Sequence, residues 1–316
     1  MTLHAPGGDV AARLLLSPDV ADALSHGGAV IALESTLVTH GLPYPENLEV
    51  ARASEAAVRE AGAVPATVAL RDGRILVGLS AAQLGELATV RGARKASRPS
   101  LAASLAAGGW AGTTVSATAI AAQAAGIPIF ATGGIGGVHR GAFGGSATLD
   151  VSSDLEELAR TPVAVVCAGP KAILDLPHTL EYLETRGVPV VAVGQDEMPG
   201  FYSRRSGVRA PESVPDTDAA ADLVAAHLAL GLGSGMLVCV PVPEADELPL
   251  DVAREAIDRA TREADEAGVS GPALTPWLLA RVAEITGGAS IRANTALIVN
   301  DARTAARIAV ALARRS

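Results

Sequence analysis

The sequence predicts a three-layer α/β/α fold, with a mostly parallel or mixed central sheet and a helical C-terminal region. Three observations lead there. Short apolar runs of strand length recur at 29–33, 128–132, 162–168, 188–193 and 235–240. Helix-length stretches with capping residues separate them, which calls for helices on both faces of the sheet. Beyond about residue 250 the pattern is mainly helical. A chain of 316 residues has ample material for such a core. No repeat or linker divides it, so residues 1–316 are expected to form one domain, with about 1–16 as an N-terminal extension.

Each element has a local reason. Ser17-Pro18-Asp19 opens a helix, with Ser17 as N-cap and Pro18 in the first turn, and Gly27-Gly28 ends it. Residues 29–33 form a strand with Glu34 at its C-terminal end. A helix over 45–61 stops at Gly62. Strands at 66–70 and 75–77 flank the hairpin pair Asp72-Gly73. Ser80 caps a helix to about residue 88. Residues 91–99 read as basic and irregular, before an alanine-rich helix at 100–107. Thr113-Thr114 caps a helix ending at Gly126, and the strand 128–132 empties into Gly133-Gly134-Ile135-Gly136-Gly137. Ser152-Ser153-Asp154 starts a helix within 150–160. The strand 162–168 ends at Gly169-Pro170-Lys171, followed by a helix to residue 186 and a strand at 188–193. Residues 194–215, rich in Gly, Pro, Ser and Arg, read as a long functional loop. A helix at 217–230, a strand at 235–240 and a helix at 250–267 come next. Thr275-Pro276 caps a helix to residue 286, residues 293–299 read as strand-like, and a last helix spans 301–314.

Composition excludes several classes of function. The net charge is −9 and the pI about 5.2, and the basic clusters at Arg204-Arg205 and 91–98 lack interleaved aromatics. No nucleic-acid partner is expected, while a small anionic ligand remains compatible with a local basic pocket. No apolar run reaches the ~18 residues of a spanning helix, so no membrane partner is expected. Residues 1–13 are short and polar with no apolar targeting core, so the cytoplasm is the expected compartment. Cys167 and Cys239 sit in apolar runs and read as core residues. No CxxC or HExxH pattern suggests structural zinc.

The chain has two lysines, Lys95 and Lys171, against twenty-three arginines. Arginine replaces lysine wherever only a positive charge is needed, and fails where an amine must lose its proton. Lys171 follows a strand whose apolar run would hold its backbone rigidly, and loss of water around an amine favours the nucleophilic form. A free amine attacks a sugar carbonyl carbon to form an imine. Glu34 also ends an apolar strand, at the carboxyl edge where open α/β sheets bind ligands. Partial burial there suits a carboxyl to proton donation, and a solvated strand-end glutamate is the plainer alternative. Together Glu34 and Lys171 make an acid and a nucleophile for chemistry at an anomeric carbon.

The glycine run and the carboxylates after it have two readings each. Successive glycines let backbone amides close on an oxyanion, with His139 and Arg140 beside them, or simply form a tight loop. Neither the dinucleotide nor the Walker pattern is met. Asp150 and Asp154 frame Ser152-Ser153, as helix caps or as a hard-metal ligand with hydroxyl-binding partners.

Longer blocks carry a resemblance. The segment Ala32-Leu33-Glu34-Ser35-Thr36-Leu37-Val38-Thr39-His40-Gly41-Leu42-Pro43-Tyr44-Pro45-Glu46-Asn47 resembles the opening signature of pseudouridine-5′-phosphate glycosidases, the indigoidine synthase A-like family. Lys95-Ala96-Ser97-Arg98, Thr113-Thr114-Val115, residues 133–140 and 150–155, Cys167-Ala168-Gly169-Pro170-Lys171 and the Thr275-Pro276-Trp277 block with Asn294 fit as well. Residues 141–148 depart from the family's shorter, often His-containing link. The resemblance runs from about Pro18 onward. It implies reversible cleavage of the C–C glycosidic bond of pseudouridine 5′-phosphate to uracil and ribose 5-phosphate, a hydro-lyase type of activity. It further implies manganese or another divalent metal such as magnesium, no organic cofactor, and a homotrimer. Glu34 matches the family's proton donor and Lys171 its nucleophile. Lys95, Val115, Ser152, Ser153 and Asp154 match substrate contacts, Asp150 matches the metal ligand, and His139 and Asn294 match polar positions of the site.

That chemistry suits a lysine. A C–C glycosidic bond lacks the basic leaving oxygen that a pair of carboxylates would serve. Ring opening by proton donation makes C1′ electrophilic, and Lys171 can add there to form an iminium as uracil departs. A C-glycosynthase joining ribose 5-phosphate to another aromatic acceptor would use the same residues. A non-catalytic sugar-phosphate-binding protein is a further alternative. A lysine aldolase would need eight regular βα units that the strand spacing does not supply.

Overall fold

The computed structural model describes residues 8–142, 149–269 and 274–315. The family-divergent positions 143–148 therefore lie outside the described residues, as does the start of the expected N-terminal extension. A helical turn, α1 (Gly8–Ala11), precedes a short strand, β1 (Leu14–Leu16). α2 (Pro18–Ser25) starts as predicted, with Ser17 Oγ accepting from the Val20 amide. β2 (Val30–Leu33) leads through a π-helical turn at Leu37–Gly41 into α3 (Glu46–Glu60). β3 (Val64–Arg71) and β4 (Arg74–Val77) form the predicted hairpin, turning at Asp72 and Gly73, both with positive φ. α4 (Ala81–Thr89) begins with a full capping box between Ser80 and Gln83.

Next come β5 (Arg94–Ala96), α5 (Leu101–Ala107), β6 (Trp110–Thr113), α6 (Val115–Ala125), β7 (Ile129–Ala131) and β8 (Val138–His139). α7 (Ser153–Leu158), β9 (Ala164–Cys167), β10 (Leu174–Asp175), α8 (Leu176–Thr185) and β11 (Val190–Val193) follow. β12 (Glu212–Val214), α9 (Thr217–Ala229), β13 (Met236–Cys239), α10 (Leu250–Glu266), α11 (Leu274–Ile285) and α12 (Ala289–Ala313) complete the described chain.

The main sheet runs β1-β4-β3-β2-β7-β9-β13-β11-β12, with β6 pairing β3 and β5 pairing β6. Every pair from β3 to β12 along that path is parallel, and β3 is antiparallel to both β4 and β6. The sheet is mixed, as predicted. Its central strands are buried on both faces because their side chains alternate between two cores. Val30, Ala32, Phe130, Val165 and Cys167 pack with residues of α6, α7 and α8. Ile31, Leu33, Ile129, Val166 and Met236 pack with α3, α9 and α12 on the other face. α10, α11 and the first half of α12 enclose a third core with Phe201, Tyr202 and Leu174. Cys167 and Cys239 are buried free thiols, opposite each other on neighbouring strands.

Four local expectations are corrected. Residues 293–299 are not strand-like but part of α12, where Ala293 and Leu297, four residues apart, share one buried face. Residues 91–99 contain β5, with Lys95 opposite Gly112 of β6. β6 itself escaped the sequence reading because two glycines precede it and a third lies inside it, against strand propensity. A Cβ at Gly112 would lie 2.9 Å from the Ser35 carbonyl oxygen, so close backbone approach demands the glycine. Thr114 occupies the N-cap of α6 without capping it, its hydroxyl meeting Ser116 Oγ at 3.1 Å instead. Thr275 lies inside the first turn of α11 rather than before it.

α12 crosses α3 and α9 and also touches β2, β7 and β9. Small residues make this possible: Ala302, Ala305, Ala306 and Ala309 are all at most 4% exposed. Ala305→Leu should overpack that seam and lower stability by about 1–3 kcal/mol, read as a shift in the urea midpoint. An unchanged midpoint would show that the seam is loose.

Candidate active site

Three adjacent parallel strands end at one level. Leu33 of β2 is in register with Ala131 of β7, which is in register with Val166 of β9. The next residues of the first two strands are Glu34 and Thr132, and the Thr132 hydroxyl donates to Glu34 Oε1. β9 continues through Gly169, at φ +87, and Pro170 to Lys171. Glu34, Thr132 and Lys171 line one cavity of about 240 Å³ at this edge, together with Thr36, Lys95 and Asn294. β5 carries Lys95 there, and the first half of α12 carries Asn294. The volume is on the scale of one small molecule.

The glycine run braces the turn that carries Lys171. Ile135 N–H donates to the Gly169 carbonyl at 3.1 Å, and Lys171 N–H donates to the Ile135 carbonyl at 3.1 Å. The run is thus a strut that holds the turn bearing Lys171. Gly136 N–H donates to Asp154 Oδ2 at 2.9 Å and Val138 N–H to Thr179 Oγ1 at 3.0 Å, so these amides are already engaged. The glycines serve close approach. A Cβ at Gly133 would lie 2.6 Å from Ile298 Cγ1, at Gly134 2.5 Å from Phe201 Cε2, and at Gly136 2.2 Å from Ser152 Oγ.

The sequence-predicted residues fall into two groups. Glu34, Lys95, Lys171 and Asn294 share the cavity. His139, Asp150, Ser152, Ser153 and Asp154 lie along the β8 ribbon, where Val138 bridges Val151 and His139 N–H donates to the Asp150 carbonyl at 3.0 Å. Asp154 ties the groups together. Its buried carboxylate accepts from Ser116 N–H at 3.1 Å as well as from Gly136, so it anchors the start of α6 beside the buried Val115. Lys171 also borders a second cavity, with Arg140 and Asp175. Thr132 and Thr36 escaped the sequence reading. The available signal for Thr132 was its place just beyond a strand, the same place that singled out Glu34.

The profile of the family described as Indigoidine synthase A like protein matches residues 19–311. The chain belongs to that family. It is 54% identical over 300 residues to a pseudouridine-5′-phosphate glycosidase of Solibacter usitatus, covering 95% of this chain and 99% of the relative. A pseudouridine-5′-phosphate glycosidase of Jannaschia sp. is 54% identical over 302 residues, covering 95% and 98%. Among solved structures, the prealnumycin C-glycosynthase AlnA in complex with ribulose 5-phosphate superposes with a TM-score of 0.88 at 36% identity, covering 96% of this chain and 97% of that one. An indigoidine synthase A-like protein from Thermotoga maritima does so with a TM-score of 0.85 at 32% identity, covering 99% and 100%. The three-layer fold is therefore that of the family.

Electrostatics in the cavity favour a protonated acid. Burial raises the Glu34 carboxyl above its usual 4.5, although Lys171 and the Thr132 hydrogen bond pull the other way. Protein packed around the Lys95 amine lowers its pKa, and repulsion from Lys171 adds to this, even though the side chain as a whole is exposed. Burial, then Lys95, lower the His40 imidazole at the same cavity. Among the described residues no three His, Cys, Asp or Glu side chains gather to hold a metal. Asp150 has one such neighbour, His139, whose Nδ1 lies 3.9 Å from Asp150 Oδ2. This donor set fits a hard ion that keeps most of its waters, and does not fit a closed zinc cage.

The Glu34 shift has a thermodynamic sign. A carboxyl with a raised folded pKa contributes stability that is full below its unfolded value and lost as pH rises through the folded value. Glu34→Gln should therefore gain Tm relative to the wild type as pH rises from the usual carboxyl value of 4.5 into the neutral range. A Tm difference that stays flat across that range would refute the shift.

Proposed function

We propose that this chain catalyses the reversible cleavage of pseudouridine 5′-phosphate to uracil and ribose 5-phosphate through an imine at Lys171. The observation that carries the reading is a half-buried acid, Glu34, with its carboxyl held above the usual range, and an amine, Lys171, lining one small cavity. The names of relatives at 54% identity and near-complete coverage support the substrate.

Glu34 gives its proton to the ribose ring oxygen, and the C1′–O4′ bond opens. The Lys171 amine adds to C1′. The proton that the amine sheds on adding passes to uracil C5, and the C1′–C5 bond breaks, with its electron pair passing to uracil and a C1′=N iminium left on Lys171. Water adds to the iminium and releases ribose 5-phosphate, so one water is consumed per cleavage. Thr132, donating to Glu34 Oε1, orients the carboxyl for the first step. Lys95 meets the anionic substrate, and Val115, Ser152, Ser153, Asp154, His139 and Asn294 complete its contacts. Ser152 to Asp154 start α7, where a helix N-terminus adds favourable dipole for a phosphate.

The reading includes a divalent cation, manganese or magnesium, held by Asp150 through one carboxylate. Bound there, it would supply positive charge to a polyanionic substrate. It also takes residues 1–316 as one domain, working as a homotrimer in the cytoplasm without an organic cofactor. No helix among the described residues is long and apolar enough to cross a membrane.

The likeness to AlnA favours a second reading, in which the same site joins a pentose phosphate to an aromatic acceptor. Trials of uracil against other acceptors separate the two. Lys171→Arg should keep the fold and lose turnover altogether, and mass spectrometry after ribose 5-phosphate and borohydride should find a reduced adduct on Lys171 in the wild type. Turnover by Lys171→Arg, or an adduct elsewhere, excludes the imine route. Lys95→Ala should raise KM for the phosphorylated substrate at least about tenfold with little change in Tm. An unchanged KM removes Lys95 from the substrate site.

A further inference from the structure

Among the described residues, the buried side-chain oxygens without a hydrogen-bond partner are Thr36 Oγ1, Ser104 Oγ and the two carboxylate oxygens of Asp301. Of these residues, Thr36 alone lines the cavity that holds Glu34 and Lys171. Its neighbours are all paired. Ser35 Oγ donates to the Val68 carbonyl at 2.5 Å and accepts from Thr113 N–H at 3.0 Å. Thr39 Oγ1 donates to the Ser35 carbonyl at 3.2 Å. Thr36 precedes the π-helical turn Leu37–Gly41 in helical conformation, φ −61° and ψ −35°, and its hydroxyl makes no capping bond.

A buried hydroxyl without a partner costs about 1–3 kcal/mol. Each such group calls for an explanation, and at a cavity wall a bound molecule supplies one. The chemistry of the cavity narrows what that is. Lys95 and Lys171 already bring nitrogen donors to it. A neutral hydroxyl both donates and accepts, so it matches another hydroxyl best. Thr36 stands two residues after Glu34, on the same turn out of β2. The residue keeps part of its surface open while Oγ1 is shielded, and rotation about χ1 exchanges methyl and hydroxyl between staggered positions.

We propose that Thr36 is a substrate-binding residue whose hydroxyl pairs with a ribose hydroxyl of the sugar phosphate beside Glu34. This rests on the sugar-phosphate reading of the site. Thr36→Val keeps the shape and deletes the hydroxyl, so the ligand-free variant should match or exceed the wild type in Tm. Its kcat/KM for pseudouridine 5′-phosphate should fall about 10- to 100-fold, and its affinity for ribose 5-phosphate by calorimetry should fall in parallel. Thr36→Ser should recover most of both. A purely structural hydroxyl would give the opposite pattern, with Tm falling and affinity held, and that result overturns the proposal. Wild-type kcat/KM in Thr36→Val also overturns it. Wild-type turnover is the control: an inactive wild type sinks the parent reading, whereas an active wild type with an unaffected Thr36→Val sinks only this one.

Discussion

The parallel register of β2, β7 and β9 is the constraint on which the site depends. Because the three strands end together, one residue beyond β2 and one beyond β7 meet as Glu34 and Thr132, and the turn after β9 delivers Lys171 to the same cavity. Backbone hydrogen bonds in a parallel ladder are evenly spaced, so a strand end is a stable platform for a side chain. The glycine run then locks the Lys171 turn by pairing Ile135 with Pro170 and its neighbours. Its glycines are required by what presses on them. Ile298 from α12, Phe201 from the loop after β11, and Ser152 at the start of α7 all occupy space that a Cβ would need. Three distant segments are thereby brought to one wall.

The same packing sets the charge state of the site. Burial opposes ionisation of Glu34, and the nearby lysine amines oppose that in turn. The net direction is toward a held proton, which is the state an acid needs before it can donate. A site of this kind is a standing cost to the fold, since desolvated acids and unpaired hydroxyls are retained where they could have been replaced by apolar groups. Asp301 on α12 shows a related burden outside the cavity. Burial and then Cys167 push its carboxyl well above its usual range, and the Ala168 amide that lies toward it already donates to the Gly133 carbonyl at 3.1 Å.

Much of the fold was legible because local signals agreed with it. Ser17 and Ser80 cap the helices they announce, and Asp72-Gly73 turns the hairpin it announces. Failures occurred where tertiary contact overrode local preference. Trp110-Ala111-Gly112-Thr113 is a strand because β3 and β5 flank it, and residues 293–299 are helical because Ala293 and Leu297 pack from one face of α12 into the core it shares with α10 and α11. Glu34, Lys95, Lys171 and Asn294 were legible as separate candidates, and the cavity unites them. Thr36 and Thr132 were not, since a threonine beside a strand end carries no chemical signature of its own.

The sequence by itself determined the alternation of strands and helices, the family, and the scarcity of lysine that drew attention to Lys171. These are properties of order and composition, which act over a few residues or over the chain as a whole. Only the tertiary structure decided which strand ends stand side by side, why the glycines are glycines, and which hydroxyl is left without a partner. Those depend on distances between segments far apart in the chain, and such distances exist only once the sheet has closed its register.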